Sequence, residues 1–321
     1  MKRATLIWLI VAGALVLVGT LGFVGIMAAN HWDVAALNSA PFETNTVRLA
    51  EEFDQISIRS DTADILFVPS EDGTCKVVFY EQPKVKHTAT VQDGTLSILA
   101  TDTRLWYERI SFSLDSPKMT VYLPGSTYAS LFIEESTGEI ELPENFSFGE
   151  IQITASTGNT TCHASASGLA QIKTSTGYIR TENSSFGSLR LSASTGSIDV
   201  RTVHCEGDLE VTVSTGKASL SEVQCNRLIS QGSTGDITME NVIAEGEMSI
   251  RRDTGDVRFD ACDAAELQIT TDTGDVTGSL RSEKVFVTQS DTGRIQVPET
   301  TGGGKCKITT DTGDIRIQIK N

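Results

Sequence analysis

The chain has 321 residues, 42 Asp plus Glu against 26 Lys plus Arg, a net charge of -16 and 39% hydrophobic residues. That length and apolar content suffice for one large or two modest cores. The negative charge argues against nucleic acid or an anionic membrane surface as a ligand of the folded part.

The first thirty residues, MKRATLIWLIVAGALVLVGTLGFVGIMAAN, stand apart. Lys2 and Arg3 are followed by residues 4–29 without a charged side chain, enough as a helix to cross a hydrocarbon core of about 30 Å. The two cations favour a cytoplasmic stub at 1–3, which exports everything after Asn30. A cleaved signal peptide is the competing reading, with Met27 and Ala29 as a loose cleavage pattern. The apolar run exceeds the usual core of about 7–15 residues, which favours a retained transmembrane helix. Residues 30–46 read as a tether.

Residues 47–130 alternate apolar and polar positions in FDQISIRS, ADILFVPS, CKVVFYE, GTLSILA and MTVYLP, separated by PSEDG, VQDG and PGS turns. They read as irregular β coils or a cap over an open sheet end. TRLWYERISF, with Trp106, Tyr107 and Phe112, is expected to pack over that end.

From residue 131 onward a period governs the chain. Thr-Gly recurs at Thr137, Thr157, Thr176, Thr195, Thr215, Thr234, Thr254, Thr273, Thr292 and Thr312. A further Thr-Gly at 301–302 falls out of phase. Three residues after the in-phase Thr stand mostly branched aliphatics, such as Ile140, Ile198, Val257 and Ile315. Before it, pairs such as Leu131 and Ile133, Leu189 and Leu191, and Leu267 and Ile269 sit six and four residues upstream. Each repeat therefore reads as strand, Thr-Gly turn, strand, second turn, with alternate residues inward. Val285 and Val287 are displaced by one, which suggests a bulge or a slightly longer turn in that coil. A unit this small cannot bury its own apolar face, and stacked units can. The expected fold is all-β: a single-stranded, parallel β-helix-like β-solenoid of ten coils of 19–20 residues over 131–321, preceded by one transmembrane helix. Rungs about 4.8 Å apart make a rod roughly 50 Å long. Glycine tolerates positive φ and close approach of the neighbouring coil; threonine favours extended backbone and can hydrogen-bond along its column. DTGDIRIQIKN stops within a coil, with Lys320 and Asn321 discouraging edge pairing and no distinct C-terminal cap.

The recurrent STG and DTG coils after an N-terminal apolar segment resemble the bacterial "putative adhesin" family of β-strand-repeat domains, which have no assigned function and are often attached to a membrane segment. The resemblance covers roughly 50–321 and is most specific over 131–321. It implies a β-solenoid at the bacterial envelope and brings no catalytic residues with it.

Asp253, Asp272, Asp291 and Asp311 precede the Thr, and Asp236, Asp256, Asp275 and Asp314 follow the Gly, with Arg294 interrupting the second column. Such ladders could bridge calcium, for which the weak candidates are Asp236, Asp253, Asp256, Asp272, Asp275, Asp311 and Asp314. The β-roll nonapeptide GGxGxD is missing, and solvated turns are the plainer reading. Six cysteines without CxxC or zinc spacing read mostly as core fillers, with Cys205 and Cys225 stacked as the one pair to test for a disulfide. His31, His87, His163 and His204 are scattered and no nucleophile motif is present. The expected function is a non-catalytic extracytoplasmic scaffold or binding module, adhesin-like, with no cofactor beyond the calcium option. The alternatives are an accessory or regulatory partner of an envelope membrane protein, and a polysaccharide-acting β-helix enzyme as the remotest case. The partners envisaged are an envelope protein, a cell-wall component or a surface ligand, with self-association through solenoid ends a further option.

Overall fold

The computed structural model describes residues 3–29, 31–32, 42–105 and 116–320. Helix α1, Arg3–Ala29, carries no charged side chain after Arg3, and its span Ile7–Ala29 is long and apolar enough to cross a membrane. Of the segment 103–112 expected over the solenoid end, residues 106–112, with Trp106, Tyr107 and Phe112, lie outside the described residues.

The Thr-Gly repeats form the parallel solenoid that their period predicts, with threonine beside threonine in successive coils, as in Thr137 with Thr157 and Thr195 with Thr215. Each coil has three inward runs rather than two. In the Thr195 coil the buried residues are Ile198 and Val200, then Val203 and Cys205, then Leu209, Val211 and Val213. The phase break between the first two runs falls on Thr202, whose φ is 50°. Its equivalents Asn183, Glu222, Asn241 and Ala261 share that left-handed conformation. A single left-handed residue turns the strand without interrupting its stacking. The result is a three-sided coil with a continuous Ile, Leu, Val, Phe, Ala and Cys interior.

The Thr-Gly corner is held by backbone rather than by the threonine hydroxyl. Gly138 N–H donates to Thr157 O at 3.1 Å, Gly158 to Thr176 at 2.9 Å and Gly235 to Thr254 at 2.8 Å. Glycine is required at this corner twice over. At Gly216 φ is 136°, and a Cβ would sit 1.6 Å from the Gly196 carbonyl oxygen.

Neither end follows chain order. At the C-terminal end, Thr273 pairs with Thr312, and Thr312 in turn with Thr292. The final coil, 304–319, is thus inserted between its two predecessors, and 284–296 forms the end of the rod. This corrects the expectation of a chain that stops in an open last coil. Lys320 N–H closes onto Leu280 O at 2.8 Å and its ammonium pairs with Asp260. The bulge expected at Val285 and Val287 does not occur. Phe286 and Thr288 occupy the inward columns beside Cys306 and Ile308, and the two valines point outward, 42% and 48% exposed.

The N-terminal end mirrors this arrangement. The elements are β1 (Glu43–Leu49), β2 (Gln55–Thr62), β3 (Asp64–Pro69), β4 (Cys75–Glu81), β5 (Val85–Gln92), β6 (Thr95–Asp102), β7 (Lys118–Leu123) and β8 (Thr127–Thr137). Strand β1 begins inside the expected tether. β2 and β3 form a coil directly beneath that of Thr137, with Thr62 beside Thr137. β6 and β7 form the next coil outward. Antiparallel β5 then joins β6, while β4 joins β7 and β1 joins β4. The antiparallel strands β1, β4 and β5 continue the sheet beyond the end coil.

Gly216→Ala should lower stability by about 3 kcal/mol or more, from backbone overlap plus positive φ. Gly246→Ala, where a Cβ meets nothing nearer than 3.2 Å, should stay within about 1 kcal/mol of the parent. Thermal unfolding of the two full-length variants followed by circular dichroism separates these outcomes.

Candidate functional site

The aspartates after the glycine form a hydrogen-bonded ladder. The amide of Asp256 donates to Asp236 Oδ1 at 3.0 Å, that of Asp275 to Asp256 Oδ1 at 2.8 Å, that of Asp314 to Asp275 Oδ1 at 2.8 Å, and that of Arg294 to Asp314 Oδ1 at 2.8 Å. Each carboxylate therefore satisfies the one corner amide that points along its column. Arg294 does not interrupt the ladder. It lies in the end coil, donates its amide to Asp314, and among the described residues faces no further coil that needs an acceptor. At the other end Asp64 Oδ1 accepts from Glu139 N–H at 3.0 Å. Residues 61–65, DTADI, are thus an eleventh corner with alanine in place of glycine.

At Asp256 and Asp314 the carboxylate also meets an arginine two residues on. Arg258 reaches Asp256 at 2.5 Å and Asp236 at 3.6 Å, and Arg316 pairs with Asp314. Arg180 and Arg201 similarly share Asp199 and Glu182. These arginines are about half exposed, so each pair adds at most about 1 kcal/mol, but together they offset repulsion between stacked acids. The column before the threonine is looser. Asp253 lies 3.9 Å from Arg251, and Asp291 accepts from Gln289 at 3.2 Å; Asp272 and Asp311 are exposed. Among the described residues no group of three or more His, Cys, Asp or Glu is placed to hold a metal ion.

Beside the ladder, five coils share an open trough of about 720 Å³. Its rim carries Glu240, Arg258, Asp260 and Arg316, its floor Met239 and Phe259.

All six cysteines are free buried thiols. Cys205 and Cys225 lie one coil apart on the same inward face, next to the paired His204 and Gln224. Burial pushes both thiols, and also Cys162 and Cys306, up to about 12. A thiol so far above neutrality supplies almost no thiolate.

One cluster has no signal in the sequence. His87 on β5 has Nδ1 at 2.9 Å from Glu81 Oε2 and Nε2 at 3.2 Å from Ser60 Oγ. The order serine, histidine, carboxylate is that of a nucleophile with its base. All three are buried, with Ser60 6% exposed, so the hydroxyl turns into the solenoid interior rather than toward a substrate. They come from three strands with no shared local motif, and only the structure brings them together.

The chain matches the Toastrack DUF4097 family over residues 53–212 and 206–321, and belongs to that family. A putative adhesin from Bacteroides fragilis is 13% identical, the match covering 87% of this chain and 98% of that one, with a TM-score of 0.37. A putative adhesin from Parabacteroides distasonis is 11% identical over 87% and 98%, with a TM-score of 0.46. A putative cell adhesion protein from Clostridium sporogenes is 9% identical over 87% and 100%, with a TM-score of 0.23. No curated protein matches the chain.

Asp275→Ala should cost about 1 kcal/mol, because it leaves the Asp314 amide without its acceptor, whereas Asp275→Asn keeps the carbonyl and should be near neutral. Unfolding midpoints of the two variants check this. The native chain should also resist iodoacetamide at pH 8 and take up label at all six cysteines only after denaturation, as read by intact mass.

Proposed function

We propose that this chain is a non-catalytic binding module, a rigid β-solenoid held at a membrane by its N-terminal helix, with the rod outside the cytoplasm. The trough carries this reading. Five hydrogen-bonded rungs about 4.8 Å apart present guanidinium, carboxylate and hydroxyl groups in fixed register, a surface suited to polar contact with an envelope or surface component. On that face the Ser279 hydroxyl donates to Asp260 and accepts from the Ala261 amide, and Asp260 also pairs with Lys320, so both groups are tied into the coil. The carboxylates of the ladder are already engaged in holding corners together.

Proximity labelling in intact bacterial envelopes tests the proposal, with the full-length chain compared with a version whose residues 43–321 are replaced by an inert domain. Enrichment of a defined envelope or wall component by the solenoid, lost in an Arg258→Glu, Arg316→Glu double variant, is the expected result. Labelling indistinguishable from that of the inert domain would remove the binding role.

A further inference from the structure

Glu135 stands two residues before Thr137, in an inward column that continues as Ala155, Thr174 and Ala193. Its Oε1 accepts from Ala63 N–H at 3.2 Å and Thr137 N–H at 3.3 Å, while Oε2 is buried without a hydrogen-bond partner. Beneath it in the same column is Ser60, and below Ser60 the inward position of β6 is Ala100, the cross-strand partner of His87. The small Ala100 side chain leaves room for the imidazole to reach Ser60. On its far side the ring meets Glu81, which also accepts from the His87 amide at 2.8 Å and from Asn45 Nδ2 at 2.7 Å. Lys86 lies 3.4 Å from Glu81 and pairs with Glu43 toward the surface. Phe79 stacks on the imidazole at 5.3 Å. Hydrogen bonds thus run from Ser60 through His87 to Glu81, and Glu135 lies beside Ser60 with its second oxygen unpartnered, so the cluster joins the solenoid to β5, an edge strand whose pairing among the described residues is with β6 alone.

From this geometry we infer that Glu135, Ser60 and His87 form a one-proton latch, which clamps β5 onto the end coil while the proton is present and loosens it when the proton is lost.

The hydrogen-bond arithmetic is restrictive. Beside the Glu81 carboxylate, which only accepts, His87 Nδ1 carries a proton. With His87 neutral, Nε2 is an acceptor and takes the Ser60 hydroxyl, so Ser60 Oγ can only accept from Glu135, and Oε2 must be protonated. With the same proton on Nε2 instead, Ser60 donates to a Glu135 carboxylate. Either arrangement completes the chain. Removing the proton leaves a carboxylate buried and one link unmade, which favours peeling β5 away and admitting water.

Burial pushes the Glu135 carboxyl up to about 7, aided by Asp61 and tempered by the Ser60 hydroxyl and the amides of Ala63 and Thr137. The groups facing the cluster are Asp61 from β2, Glu81 from β4, His87 and Lys86 from β5, and Glu43 from β1. Glu134, the neighbour of Glu135, points outward to Arg59. Because the folded value lies above that of an exposed glutamate, the clamp is strongest below the ordinary carboxylate range and is lost as pH rises through about 7.

Hydrogen exchange by mass spectrometry on the full-length protein in detergent tests the latch. Amides of 85–92 are followed at pH 6 and pH 8, corrected for intrinsic exchange, with 237–254 as internal reference. The opening constant of 85–92 should be about tenfold larger at pH 8, the reference should not change, and Glu135→Gln should abolish the difference. Opening that is independent of pH, or a Glu135→Gln variant that keeps the tenfold change, overturns the inference. Should that variant fail to fold, a carbon-13 titration of the wild-type Glu135 carboxyl decides. A midpoint near 7 supports the latch, and an ordinary glutamate midpoint refutes it.

Discussion

The contact on which this rod depends is the approach of one corner glycine to the carbonyl of the next. At Gly158, Gly177 and Gly235 the position a Cβ would take lies 1.8 to 1.9 Å from the oxygen of the preceding corner. No side chain fits there, so the coils can close to sheet distance only where the corner is bare. Once they do, the Thr and Gly backbones pair, the aspartate that follows supplies the acceptor for the next corner amide, and the three inward runs meet over a dry interior. The Thr-Gly-Asp sequence is therefore one device, with threonine supplying extended backbone, glycine the approach and aspartate the missing hydrogen bond.

The same device explains where charge can be tolerated. Eight aspartates on two adjacent columns would repel one another in isolation, yet one column spends its oxygens on backbone amides and on Arg258 and Arg316. The acidic wall is consequently part of the fold before it is a surface, and the trough beside it inherits fixed geometry from the ladder. The buried polar cluster at the N-terminal end works differently. It lies where the regular columns run out, and it joins two kinds of sheet, parallel coils and the antiparallel strands beyond them.

Much of this was legible in the sequence because the period is strict. Ten Thr-Gly pairs at spacings of 19 or 20 define the coils and the inward columns, and the uncharged run at 4–29 defines the helix. Periodicity does not, however, record the order in which coils stack. The coils of Thr292 and Thr312 carry equivalent signals, so their exchange was invisible, and Arg294 looked like a fault in a column when it is the column's end. Val285 and Val287 misled for a related reason: in an end coil the outward face can be the more apolar one. The corner at 61–64 lacks the Thr-Gly signal because Ala63 stands in the glycine position. Ser60, Glu81, His87 and Glu135 belong to no period at all, and nothing short of the folded chain places them together.

The exchanged order at the C-terminal end also bears on how the rod is completed. By strand pairing, residues 284–296 reach the rest of the rod only through 304–319, which pairs with 267–280 on one side and with 284–296 on the other. Without 304–319, residues 284–296 would therefore lose every strand pairing they make among the described residues, although their own repeat is intact.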